Sequence, residues 1–357
     1  MLVLALAVTA FAGCVDQAKL PESLDDASKN VDWVVPELPH VDAKMMLENH
    51  AKFVSTYNYR ANNSPGHQGA RDAIAKEFQA AGLELFRYKF KSGIDQEDVC
   101  GIKLGTGAPG DWVVVGGHYD TTTWDSAAAG QGPNAMVSQG AYDDGSGTWI
   151  TVELAKAFSK IDSYYSIVFC AFDGEERGLQ GSGAMFKAMQ DSSVFPHDVN
   201  ATRGMIDFDM MGICWPIRAP IQFDWYSQNV YDLVNGYRKQ MGIPDDMFLK
   251  WQDAPLQLGT SDYGHWQKAK IPTAFFISDF EGIGVPTPVP APVPVGPTPV
   301  VPYPFWHFTD TVETMTVMAG GPDMLQKGFQ TALDLGVLTL AAFALHPEIQ
   351  LEDAPAA

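Results

Sequence analysis

Short clusters of charged residues at the ends of apolar runs constrain this chain's fold more than any other feature. "VVVGG" (113–117) leads into His118-Tyr119-Asp120, "SIVFCAF" (166–172) leads into Asp173-Gly174-Glu175-Glu176, and Asp143-Asp144-Gly145-Ser146-Gly147 opens a helical pattern. Short continuous apolar runs of this kind read as strands buried on both faces. Ionised groups at the rim of such a core need partners. A bound cation would supply them.

Around these runs strand and helix patterns alternate. Helical spacing covers 41–57 and 69–81, with Gly82 as the stop signal of the second. Strands are expected at 83–90, 99–104 and 112–117, a helix at 147–158, a strand at 166–172 and a helix at 183–190. A strand at 203–210, helices at 227–240 and 262–269, and a strand at 272–277 follow. This alternation predicts an α/β fold, a mixed sheet with helices on both faces. Ligands in such folds gather at the carboxyl ends of the strands, where His118, Glu175, Glu176 and Asp209 fall.

The ends of the chain read differently. "MLVLALAVTAFAGC" is too short to cross a bilayer and reads as an export signal, which predicts a periplasmic or cell-surface protein. Phe11-Ala12-Gly13-Cys14 resembles the lipobox of bacterial lipoproteins, which would make Cys14 a lipidated first residue. A polar tether follows (15–39), then the folded domain (40–350) and a short tail (351–357). The proline-rich segment 285–304 cannot enter a helix or a central strand and is expected as a stiff loop near the site. Residues 322–345 form a long helix whose roughly 11-residue apolar end is too short to span a membrane.

Composition narrows the function. With 46% hydrophobic and 18% charged residues the composition fits a globular protein, and a formal charge of −20 argues against nucleic acid as a partner. Cys100, Cys170 and Cys214 lie far apart with no CxxC pair, so a cysteine zinc site is not offered. Cys170, inside an apolar run, reads as a small buried hydrophobe, and a disulfide between some two of the three stays open. Imidazole and carboxylate groups suit a borderline cation such as zinc. His118, Asp143, Glu176, Asp209 and His307 are the candidates in chain order. Each alone has a plainer reading, a hydrogen-bonded histidine or a turn-forming aspartate.

Taken together, "GGHYDTT", "YDDGSGT", "FDGEERGLQGS", "DFDMMG", "GTSDYGHW" and "HFTDTVE" resemble the successive motifs of the co-catalytic, di-zinc aminopeptidases related to bacterial leucyl aminopeptidase. The resemblance implies a three-layer sandwich around a mixed, mostly eight-stranded sheet of the zinc exopeptidase type. It implies two Zn2+ ions and a peptide substrate. Residue by residue, it makes Asp143 the ligand bridging both metals, His118 and Asp209 the ligands of one, and Glu176 and His307 those of the other. Glu175 matches the general base, and Asp120 the partner that orients His118. Asp144 matches a structural residue that follows the bridging aspartate across a cis peptide. Asp262 and Tyr263 match positions either behind the metal ligands or at the substrate, and the tyrosine, where the family usually has histidine, leaves the substrate contact there open. Trp306 before His307, together with "FDGEE", is similar to the animal-type glutaminyl cyclases, single-zinc enzymes of the same fold. A pyroglutamate-forming cyclase is therefore the alternative enzyme, and a catalytically inactive binding module a third reading. Glu175 argues against the last.

Overall fold

The computed structural model describes residues 38–61, 63–122, 139–213, 217–218, 228–243, 248–249, 261–278 and 310–351. The export signal, Cys14, most of the tether, the proline-rich segment, Trp306, His307 and Cys214 lie outside the described residues. Eight strands form one sheet: β1 (Glu84–Ser92), β2 (Ile94–Lys103), β3 (Ala108–His118), β4 (Tyr165–Phe172), β5 (Ala201–Asp209), β6 (Ile217–Arg218), β7 (Phe248–Leu249) and β8 (Thr273–Ile277). Their order is β1-β2-β4-β3-β5-β8-β6-β7. The centre, β4-β3-β5-β8, is parallel, while β1-β2, β2-β4 and β8-β6 pair antiparallel. The mixed sheet is the one expected.

Eight α-helices accompany it among the described residues: α1 (Ala43–Thr56), α2 (Pro65–Ala80), α3 (Gly145–Phe158), α4 (Gln180–Ala188), α5 (Gln228–Gln240), α6 (Gly264–Lys268), α7 (Val312–Ala319) and α8 (Pro322–Leu345). Strand alternation on β5 shows that they cover both faces. Phe208 points toward α3 and α8, where its ring crowds Gly336. Asp207 and Asp209 point the other way, toward the start of α6, where they accept hydrogen bonds from the Tyr263 amide and the Ser261 hydroxyl. β4 is buried at every position, as a strand covered on both faces must be.

Several boundaries moved for identifiable reasons. α2 begins at Pro65, four residues before the expected start, because Ser64 caps the His67 amide and Pro65 occupies the first turn. β2 begins at Ile94, since the polar run "IDQED" pairs with β1 across the turn at Gly93. α7 carried no expectation. Cys170 is not a lone buried hydrophobe: it faces Cys100 in the β2-β4 register and is disulfide-bonded to it. Over its full 24 residues α8 is long and apolar enough to cross a membrane, correcting the expectation drawn from its apolar end; 89% of its apolar window is buried, which places it in the core. Leu351, in the expected tail, is buried too.

α3 sits tightly on the sheet. A Cβ at Gly147 would collide with the Phe208 backbone oxygen and lie 2.6 Å from Asp144 Oδ2. Gly147→Ala should therefore destabilise the protein by about 1–3 kcal/mol, read as a lower urea midpoint with an unchanged slope.

Candidate metal centre

His118 ends β3, Asp173-Gly174 and a turn of 3-10 helix (Glu175–Arg177) follow β4, and Asp209 ends β5. These three strands are neighbours and parallel, so their carboxyl ends meet at one place. The start of α3 brings Asp143 there. His118 Nε2 lies 3.0 Å from Asp143 Oδ1, 3.8 Å from Asp209 Oδ1 and 3.9 Å from Glu175 Oε2. Its other nitrogen, Nδ1, lies 3.2 Å from the Asp120 carbonyl and 3.4 Å from Asp120 Oδ1, contacts that restrict the ring's orientation. Asp120 Oδ1 also accepts from the Glu175 amide at 3.1 Å, tying the imidazole to the Glu175 loop.

His118, Asp144 and Asp209 each bring one atom within 4.8 Å of the others. Asp144 is nonetheless a brace. Its Oδ1 accepts from the amides of Gly147 (2.8 Å) and Met210 (3.2 Å) and from the Ser146 hydroxyl (3.3 Å), and its Oδ2 from the His118 amide (3.2 Å). One carboxylate thus fixes the end of β3, the start of α3 and the end of β5. The Asp143-Asp144 peptide is cis.

Two groups that sequence reasoning did not single out hold Asp143. Asp310 accepts from the amides of Tyr142 (2.7 Å) and Asp143 (2.9 Å). Burial pushes its carboxyl up to about 8 against the pull of those amides. Arg60, also buried, donates from Nε to the Tyr119 carbonyl (2.6 Å) and from Nη2 to the Gly140 carbonyl (2.9 Å), joining the loop after β3 to the one before α3. Burial lowers its guanidinium to about 10 although Asp310 and Asp144 pull upward, so it stays cationic. Asp310 was in view within "HFTDTVE"; Arg60 had no local signal, because its partners are backbone carbonyls far along the chain.

Of the two residues expected behind the ligands or at the substrate, Asp262 is buried, and that burial raises its carboxyl to about 7. Tyr263 is wholly buried, its ring stacked on Phe275 at 4.6 Å and its amide donating to Asp207 Oδ2.

The charge balance is lopsided. Burial, reinforced by neighbouring carboxylates, drives Glu175, Glu176, Asp144 and Asp207 well above the usual carboxylate range. Burial opposes a charged His118, yet Glu175, Asp120 and Asp143 raise its proton affinity. His118 Nε2 and Asp209 Oδ1 are buried with no hydrogen-bond partner among the described residues. An imidazole nitrogen and carboxylate oxygens turned toward one another in a buried, negative site fit a divalent cation of zinc's type.

These raised carboxyls mean that the metal-free folded chain binds more protons than the unfolded chain between about pH 4, where free carboxyls titrate, and about pH 8. The native state must lose stability as pH rises through that window. Thermal melts of chelator-treated protein should show Tm falling from about pH 5.5 to about pH 8, with zinc restoring most of the loss; a metal-free Tm that rises over the same range would contradict the charge balance.

Comparison with known proteins agrees with this architecture. A probable zinc metalloprotease of Phaeosphaeria nodorum is 33% identical over 115 residues, covering 30% of this chain and 22% of the relative. Aminopeptidase YwaD of Bacillus subtilis is 28% identical over 170 residues, covering 47% and 32%. The match thus spans between a fifth and a third of these relatives' length. Among solved structures, BSAP, a zinc aminopeptidase from Bacillus subtilis, superposes with a TM-score of 0.63 at 16% identity, covering 89% of this chain and 98% of that one. Glutaminyl cyclase of Bacteroides thetaiotaomicron superposes with a TM-score of 0.59 at 16% identity, covering 84% and 98%. The two enzyme types share the fold, so the fold alone does not choose between them. Residues 101–310 match the model of peptidase family M28, and with well over half its length inside that match the chain belongs to peptidase family M28.

Proposed function

We propose that this protein is a zinc-dependent aminopeptidase that releases N-terminal residues from peptides. The convergence of His118, Asp143, Glu175 and Asp209 at the ends of three adjacent parallel strands carries the reading. His118, Asp143 and Asp209 would hold one zinc ion, and Asp143, Glu176 and His307 a second; His307 enters through the resemblance, since it lies outside the described residues. When bound, such ions polarise a carbonyl and acidify water.

The chain's own residues supply the rest. Glu175 takes a proton from the attacking water and passes it to the leaving amine. Burial and the neighbouring carboxylates raise its proton affinity, the direction that suits a group working on both water and an amine. The Asp120 bond to the Glu175 amide keeps that side chain beside His118. Arg60 and Asp310 hold the backbone that leads into Asp143, so the carboxylates stay in place despite their mutual repulsion. Export by the N-terminal apolar stretch, with Cys14 as an anchor, belongs to the same proposal; native Cys14 free of lipid by mass spectrometry would remove the anchor.

Glu175→Gln should retain its metal content while kcat falls about 10³-fold. Elemental analysis beside peptide kinetics reads both, and wild-type turnover in that variant would sink the assignment. Chelation should abolish activity and zinc restore it. On a peptide with N-terminal glutamine the products should be free glutamine and the shortened peptide; pyroglutamate with ammonia, at one zinc per chain, would favour the cyclase.

A further inference from the structure

The start of β2 runs beside the loop that carries Glu175 and Glu176. Val99 of β2 pairs with Ala171 of β4, so the residues of β2 before Val99 continue past the end of β4 and along that loop. Two hydrogen bonds fasten them there: the Glu97 amide donates to Asp173 Oδ2 at 2.8 Å, and the Asp173 amide to Asp98 Oδ1 at 2.9 Å. His67 of α2 adds a third contact, its Nε2 lying 2.8 Å from Asp173 Oδ1. Alternation along the hairpin sets Ile94, Gln96 and Asp98 on one face. The basic side chains of β1, Arg87, Lys89 and Lys91, take the other face with Asp95 and Glu97.

Gln96 is the residue this frame does not explain. It is only 3% exposed, and neither Nε2 nor Oε1 has a hydrogen-bond partner among the described residues. Its side chain packs over Gly174, the residue before Glu175, so closely that a Cβ there would collide with its amide nitrogen. An apolar residue of similar size would fill that space as well, whereas a buried amide with an open donor and an open acceptor is costly unless something binds it. Packing therefore does not account for a glutamine. Gln96 also lines a small cavity with Asp120, Asp173, Glu176 and Arg177. Its volume of about 10 Å³ is close to what one water molecule needs. A substrate side chain would not fit, and Arg177 disfavours a cation there. A water can accept from an amide and donate to a carboxylate at once, and such a bridge is nearly as good as a direct hydrogen bond.

We propose that Gln96 is a positioning residue for Glu176: one water in this cavity accepts a hydrogen bond from Gln96 Nε2 and donates one to the Glu176 carboxylate, holding that carboxylate in place for the second zinc ion. The loop is already tied at Asp173 and at the Glu175 amide, and the bridge fixes the next side chain along it. This rests on the reading of Glu176 as a zinc ligand and adds a residue that supports it.

The test titrates zinc calorimetrically into chelator-treated protein, where wild type should show two sites. In Gln96→Leu one dissociation constant should rise about tenfold while the other holds. The metal-free Tm should stay near the wild-type value, because the leucine occupies the same space. Ile94→Val trims the apolar wall of the same cavity without removing a polar group, and it should bind both ions as wild type does. At limiting zinc the kcat of Gln96→Leu should fall with KM nearly unchanged, and excess zinc should restore it, which damage to the fold would not allow. A crystal structure of the zinc-loaded wild type should show a water within hydrogen-bond distance of both Gln96 Nε2 and Glu176. Wild-type affinity for both ions in Gln96→Leu, an equal loss in Ile94→Val, or a loss matched by a lower metal-free Tm overturns the proposal, as does a crystal structure with Gln96 bonded elsewhere. A wild-type chain that binds a single zinc ion would instead overturn the second-zinc reading, and the crystallographic water would then decide the bridge by itself.

Discussion

Buried negative charge is the constraint on which this structure turns. Asp143, Glu175, Glu176 and Asp209 crowd around one imidazole at the ends of β3, β4 and β5, where water is largely excluded and like charges repel strongly. Left to themselves these groups would protonate or move apart. They are kept in place by a surrounding frame of amides and one buried guanidinium. Asp144 receives three amides and a hydroxyl, Asp310 receives two amides, and Arg60 clamps the two flanking loops through their carbonyls. The scaffold therefore spends buried polar groups of its own to keep a cation-binding geometry.

The same tension explains why the centre sits where it does. A central parallel sheet buried on both faces offers rigid strand ends, and β4, β3 and β5 present theirs side by side. Loops alone would let the carboxylates spread. α3 closes the arrangement from one face, its start pressed against β5 at Gly147, so small changes there reach both the core and the ligand cluster.

Beside this acidic centre the β1-β2 hairpin carries the opposite sign. The disulfide between Cys100 and Cys170 joins β2 to β4, so the hairpin and the Glu175 loop rest on one cross-linked pair of strands. Gln96 and Gly174 meet a few residues from that bond.

The sequence by itself determined the α/β class and the central strands and singled out candidates for the centre, because each lay in a local signal: apolar runs for β3, β4 and β5, a cap and glycines for α3, and short acidic motifs at the strand ends. Polarity hid the first half of β2, since Gln96, Glu97 and Asp98 are polar yet buried through contacts with distant residues, Asp173 among them. Arg60 was hidden for the same reason, as was the disulfide, whose cysteines lie 70 residues apart and meet only through strand register. Motif and periodicity are properties of neighbours along the chain. Which buried polar group finds which partner is decided only when sheet order brings distant segments together, as where Asp144 accepts from the His118 and Met210 amides of two different strand ends.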